Sequence, residues 1–305
     1  MASKEQGEEQ DVNMLVERRA SADKNWAGAE MKENATTESV IVTNALIGIF
    51  DILGARAMYG ANENAKAEAI VRFIVDAFSE AIQAPKDELV MYAKDDPDIC
   101  GKITKLIDNT LSYVYGDTIV VLCDVSAFCG SKMLLFYEYF WSMAIEITRY
   151  MFMHGIPIRG CLNIGTTARY TNENKIVVSG KAYVDAIRNA DGLEFAGTVL
   201  TEDFYKVIAE SNKDLNWSLQ HLVQLPCLVK DKTNKGYITQ NMWCIDWLDD
   251  TDFLKDQADV RQLIFNKFSW HDKGVCGSVI DKINNTETII RLMMAQRLRK
   301  ARHGS

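Results

Sequence analysis

With 305 residues, 48% of them apolar and 25% charged, the chain has the composition of an ordinary globular protein and room for one or two domains with a sizeable core. A formal net charge of −8 excludes polyanion binding by bulk electrostatics, so any phosphate site must be local. The seven cysteines show no CxxC and no zinc-type spacing; they read as reduced core thiols of a cytoplasmic protein, and the sequence shows neither a membrane-length apolar run nor a signal pattern.

Residues 1–37 are rich in Glu, Lys and Asn and read as a polar N-terminal arm. SVIVTNALIGIF, 39–50, has the composition of a buried strand, and Asp51 follows it directly. Over 62–83 apolar residues recur at 70, 71, 74, 75, 78 and 82, the period of a helix with one buried face. LSYVYGDTIVVLCD, 111–124, is two β-rich runs broken by Gly116-Asp117, a hairpin signal. The aromatic stretch 132–153 predicts a helix too apolar to face solvent on any side. Strands are expected at 156–170 and 174–180, a helix at 181–192, a short strand at 197–201, a helix over EDFYKVIAE and a last strand at 235–248. Residues 256–270 and 278–302 read as helices of a C-terminal extension spanning 251–305. Helices interleaved with hairpins indicate an α+β or mixed α/β domain. Neither GxGxxG after the first strand nor GxxxxGK[ST] occurs, which removes the dinucleotide and P-loop readings.

An unpaired carboxylate at the end of a buried run is costly, so Asp51 needs a cation or a donor. Taken alone it reads as a cap on the following turn, and Asp117, directly after a glycine at a hairpin tip, reads as turn chemistry. Taken together they are more informative. If the hairpin lies beside the first strand, the two carboxylates and a backbone carbonyl, that of Ile52, make the hard, oxygen-rich site that Mg²⁺ or Mn²⁺ prefers. Two such ions would activate an attacking oxygen and hold a triphosphate, and would neutralise Asp51.

IFDILG, YGDTIVV, IPIRGCLNIG and SGKAYVDAIRNADGLEFAGTVLT, in that order, resemble the motif set of class III nucleotidyl cyclases over residues 42–248. The resemblance implies a palm-like, ferredoxin-like domain over 38–250, with a central, mostly antiparallel sheet flanked by helices. In that family the first Asp and the hairpin Asp bind the two metals. A glycine-led helix carries an Asn and, four residues on, an Arg that stabilises the transition state, and a Lys of the last hairpin holds phosphate. Carried over residue by residue, this assigns catalytic roles to Asp51, Asp117 and Arg188, metal binding to Asp51, Asp117 and the Ile52 carbonyl, and phosphate binding to Lys232, with Lys230 in reserve. Val184 stands where the family has Asn, leaving Asp185 or Asn189 as substitutes.

The positions that read a purine base hold Tyr113 and Val177 in place of a Lys and an acidic residue. That departure resembles the Pycsar anti-phage cyclases, which make cyclic pyrimidine mononucleotides, cUMP or cCMP, for a separate effector and narrow the base pocket with aromatic side chains; Tyr59 and Tyr113 are candidates for such a pocket. The resemblance implies UTP, or CTP, as substrate, two Mg²⁺ or Mn²⁺ ions, and a homodimer with shared sites. Two other readings stay open: an adenylate or guanylate cyclase, and a non-catalytic nucleotide-binding, dimerising module. YGDTI does not supply the GG[DE]EF hairpin of diguanylate cyclases, and the basic C-terminal stretch reads as a helix with a solvated face, with no nucleic-acid or membrane partner expected.

Overall fold

The computed structural model describes residues 40–55, 58, 68, 71–76, 78–83, 97, 100, 101, 104, 110–126, 132–172, 175–211, 221–231, 233, 236–248, 259–270, 273–275 and 277–303. The expected arm at 1–37, and with it Tyr59 and Lys232, lies outside the described residues.

Among the described residues eight strands form one sheet. They are β1 (Val40–Ile52), β2 (Leu111–Tyr115), β3 (Thr118–Asp124), β4 (Ile158–Asn172), β5 (Lys175–Ser179), β6 (Gly197–Leu200), β7 (Leu222–Lys230) and β8 (Tyr237–Ile245). The order is β2-β3-β1-β4-β6-β8-β7, with β5 paired to the far end of β4. All pairings are antiparallel except β4 with β6. The helices are α1 (Lys132–Met153), α2 (Lys181–Gly192), α3 (Glu202–Ser211), α4 (Val260–Ser269) and α5 (Ser278–His303), and residues 71–76 and 78–83 are helical as well. This is the expected α+β architecture, a mostly antiparallel sheet with flanking helices.

The central strand β1 is buried from Ala45 to Phe50 because it has a neighbour on each side and helices on both faces. Neighbouring residues of a strand point to opposite faces, and β4 displays both. Arg159 reaches Asp191 on α2, while the next residue, Gly160, pairs with Thr198, whose hydroxyl meets Thr148 of α1 at 2.7 Å. So α1 and α2 cover opposite faces. The α1 face holds the large aromatics Phe136, Tyr139, Phe140 and Trp141, all buried; contrary to the expectation of a helix apolar on every side, Glu138, Ser142, Glu146 and Arg149 form a narrow, partly exposed polar stripe on α1. At the other face Gly180 leads α2 with φ +126°, and a Cβ there would stand 2.7 Å from the carbonyl oxygen of Thr166. Only glycine permits both that conformation and that approach.

β7 is absent from the expected elements except for its last residues, Leu228–Lys230. Pro226 interrupts its pattern, yet β7 is an edge strand, where a missing N–H costs no ladder bond. α4 and α5 share the core with the sheet: Ile264, Phe268, Ile283, Ile289, Ile290 and Met293 are buried in it. Arg297 of α5 donates to Asp246 just after β8 at 2.6 Å. Among the described residues no helix is long and apolar enough to cross a membrane, and the described cysteines are free thiols, mostly buried.

Candidate active site

The sheet brings Asp51 and Asp117 together. Asp51 lies in the β1 ladder, opposite Thr118 on one side and Arg159 on the other. The next amide, that of Ile52, donates to the backbone oxygen of Asp117 at 2.9 Å, which ties the end of β1 to the hairpin tip. Gly116, with φ +62°, supplies the tight turn that leaves Asp117 at that tip. Both carboxylates line one cavity of about 590 Å³, together with Ile52, Gly54, Arg159, Asp191, Lys230, Ser278 and Lys282.

The cation that Asp51 requires is in the protein. Arg159 is 9% exposed. Its Nε donates to Asp51 Oδ2 at 2.7 Å, its Nη2 to Asp191 Oδ1 at 2.7 Å, and its Nη1 to the carbonyl oxygens of Asp191 and Leu193 at 2.7 and 3.1 Å. A rigid guanidinium thus joins the end of β1 to the end of α2, using the fork geometry that arginine alone offers. The sequence reading overlooks this residue and assigns neutralisation of Asp51 to metal. Its signal is present in IPIRG: a charged residue in an otherwise apolar strand poses the same question as Asp51, with the opposite sign.

Burial still pushes the Asp51 carboxyl above its ordinary value, outweighing the attraction and hydrogen bond of Arg159, and the nearby Asp117 charge raises it further. The site therefore has room for more positive charge. Arg159 occupies Oδ2, and Oδ1 has no protein partner among the described residues. No group of three or more His, Cys, Asp or Glu side chains able to hold a metal occurs among them. The donor set is two carboxylates and a backbone carbonyl, hard oxygen ligands that fit Mg²⁺ or Mn²⁺ when ligand oxygens and water complete the shell.

The other sequence-predicted residues lie at different distances from this cavity. Lys230 is on its wall: Nζ donates to the Asp191 carbonyl at 3.1 Å and stands 3.6 Å from Glu194 Oε1. Arg188 does not line it. Its side chain is 64% exposed on α2, 4.0 Å from Asp185, beside a second depression that includes Asn189, Thr233 and again Lys230. Val184 and Ile187 are exposed on the same helix. Asp185 is engaged by Lys181 at 2.6 Å, and the Asn189 side chain donates to the Asp185 carbonyl at 2.8 Å, so both substitutes for the missing Asn have partners within their own helix.

Tyr113 shares a sheet face with Asp51, because it pairs with Val120, two residues from the Thr118 that faces Asp51. Among the described residues its buried phenol oxygen has no hydrogen-bond partner, and the residue lines a groove with Ile74 and Phe78. Val177 is exposed on β5 opposite Tyr170, eleven positions along β4 from Arg159, or roughly 36 Å at strand spacing. Within one chain, Val177 and the acidic pair are therefore apart. Sequence reasoning also missed Asp191, Ser278 and Lys282, whose place at the cavity depends on how α2 and α5 pack.

No protein-family model matches the chain, and no curated protein matches it in sequence. Among solved structures, it is similar to the catalytic core of a rhodopsin-guanylyl cyclase with converted specificity in complex with ATPalphaS, at 12% identity and a TM-score of 0.46, covering 68% of this chain and 98% of that one. It is also similar to the guanylate cyclase domain of RhGC from Catenaria anguillulae in complex with GTP, at 13% identity and 0.44, covering 66% and 96%. A third is the adenylyl cyclase CyaB from P. aeruginosa, at 13% and 0.40, covering 68% and 95%. Overlaps this loose assign neither a family nor a substrate.

Proposed function

We propose that this chain is a nucleotidyl cyclase, converting a nucleoside triphosphate to its 3′,5′-cyclic monophosphate and pyrophosphate. The observation that carries the reading is a single cavity whose wall joins two close carboxylates, Asp51 and Asp117, to the ammonium groups of Lys230 and Lys282. That charge pattern suits a metal–polyphosphate chain: divalent ions at the acidic end, phosphate oxygens at the basic end. Asp51, Asp117 and the Ile52 carbonyl would hold the ions, which when bound supply charge neutralisation and lower the pKa of the attacking hydroxyl. Arg159 holds Asp51 in place and fixes which of its oxygens faces the ions. Lys230 offsets the charge gathering on the departing pyrophosphate. The 3′ oxygen forms a bond to the α-phosphorus as the bond to the pyrophosphate oxygen breaks, and the hydroxyl proton passes to water.

Arg188 enters this reading through a second copy. It is exposed beside Val184 and Ile187 and outside the cavity of its own chain, which supports a two-fold homodimer in which Arg188 of one copy meets the acidic pair of the other. The base is a pyrimidine in this proposal. Tyr113 and Val177 cannot supply the charged edge contacts of a purine reader, and each unpaired polar group of a purine in a closed pocket costs about 1–3 kcal/mol.

Purified protein incubated with each of the four nucleoside triphosphates and Mn²⁺, with products identified by mass spectrometry, tests both levels. A cyclic pyrimidine mononucleotide formed with kcat/KM at least about tenfold above that for ATP and GTP is expected. Equal or faster turnover of a purine would replace the base assignment, and the absence of any cyclic product would leave a nucleotide-binding module. Turnover per chain should fall on dilution through the dimer dissociation range; constant turnover would remove the shared-site dimer.

A further inference from the structure

We propose that the C-terminal helix α5 is part of the substrate site, and that Lys282 and Ser278 on its first two turns bind the polyphosphate together with Lys230. This rests on the nucleotide reading of the cavity and extends it to an element outside the cyclase-like segment recognised in the sequence.

Lys282 and Ser278 line the cavity that contains Asp51 and Asp117. The Lys282 side chain is only 18% exposed, yet among the described residues it makes no hydrogen bond, and its one charged partner there is Glu194, 3.3 Å away. Lysine carries three donors, so a partly buried ammonium whose one close acceptor is the Glu194 carboxylate has donors left for an acceptor that enters the cavity. Glu194 is itself 3% exposed, and among the described residues its Oε1 has no hydrogen bond although Lys230 stands 3.6 Å from it. Lys230 is shared with Asp191, whose Oδ1 lies 3.5 Å away and whose carbonyl it meets at 3.1 Å. Glu194 thus sets two ammonium groups, those of Lys230 and Lys282, side by side on one wall of the cavity.

The helix is fixed where this role requires it. Asn285 donates to the Glu194 carbonyl at 3.0 Å, and Thr286 accepts the Ala196 amide at 2.9 Å, clamping the start of α5 to the segment between α2 and β6. Thr286 and Ile283 are buried there. Ser278 opens the helix; the Ile280 amide is already taken by the Gly277 carbonyl at 3.0 Å and Asp281 lies in the same turn, so what this end offers an anion is the Ser278 hydroxyl and the amides before Ile280.

The test uses the full-length protein and inorganic tripolyphosphate at fixed free Mg²⁺, with binding measured by calorimetry. Replacing Lys282 alone would leave the buried Glu194 with only the 3.6 Å contact to Lys230, so the informative variant is Glu194→Gln combined with Lys282→Gln, beside Lys282→Arg. The double variant is expected to weaken binding at least fivefold while Lys282→Arg retains it. In the unaltered protein, tripolyphosphate should slow acylation of Lys282 by an amine reagent at least fivefold, read by mass spectrometry. Wild-type binding with a smaller loss in the double variant, or with unchanged Lys282 acylation, overturns the role of α5 and leaves the nucleotide reading standing. No binding of tripolyphosphate or nucleotide by the wild type overturns both.

Discussion

Two cavities of similar size touch the β2–β3 hairpin, and they differ in almost everything else. The one at its tip, about 590 Å³, is walled by Asp51, Asp117, Arg159, Asp191 and two lysines. The one along its flank, about 650 Å³, is walled mainly by Val71, Ile74, Val75, Phe78 and Tyr113. Volume does not separate a charged cavity from an apolar groove; the treatment of polar groups does. In the first cavity Arg159 is satisfied by two carboxylates and two carbonyls, while among the described residues Asp51 Oδ1 and the Lys282 ammonium make no hydrogen bond. In the second, the Tyr113 phenol is buried with no partner among the described residues, and desolvation pushes it above its ordinary range.

The largest expected effect breaks the charged cavity at its chemistry. Asp117→Ala should lower cyclic nucleotide production at least about a hundredfold, the scale of losing one electrostatic stabiliser of the transition state, with the far-ultraviolet circular dichroism unchanged because Asp117 sits at a turn. Next comes its frame. Arg159→Met leaves Asp51 and Asp191 without their shared cation, and removing one partner of a buried pair costs about 3–5 kcal/mol, to be read from urea denaturation. A loss under about 1 kcal/mol would make Arg159 dispensable to the fold.

A third effect tests the wall behind the charged cavity. Lys273 is buried, donates to the Gly155 carbonyl at 2.7 Å, and lies behind Gly54. Burial lowers its pKa from 10.5 to about 8. Between those values the unfolded chain keeps the proton and the folded chain has lost it, so stability should rise as pH increases from about 8 to 10.5, by about 3 kcal/mol at most. Lys273→Met removes this contribution, and the wild-type minus variant difference across that window is the measurement. The smallest effect belongs to the groove. Tyr113→Phe deletes a buried hydroxyl that has no partner and should leave stability unchanged or raise it by up to about 1 kcal/mol. A fall of several kcal/mol on denaturation would reveal a bonded phenol and narrow the contrast between the cavities.

What the sequence determined by itself is what local pattern can carry. Alternation and 3.6-residue periodicity marked most strands and helices, hence the α+β class, because side-chain direction within an element depends only on nearby residues. Gly116-Asp117 marked a hairpin tip for a backbone reason that is equally local, whereas the glycine that leads α2, Gly180, came from the resemblance and its positive φ from the structure. β7 was only partly legible, since Pro226 is tolerated there by an edge position that only the finished sheet defines. Asp51 and Asp117 could be singled out as an unusual pair, but their common cavity follows from the registers of β1 with β3 and β4. The cation on Asp51, the outward position of Arg188, the separation of Val177 from the acidic pair and the arrival of Lys282 from α5 were decided by tertiary structure alone. Each depends on which element lies beside which, and ion pairing acts through space between residues whose separation along the chain carries no signal.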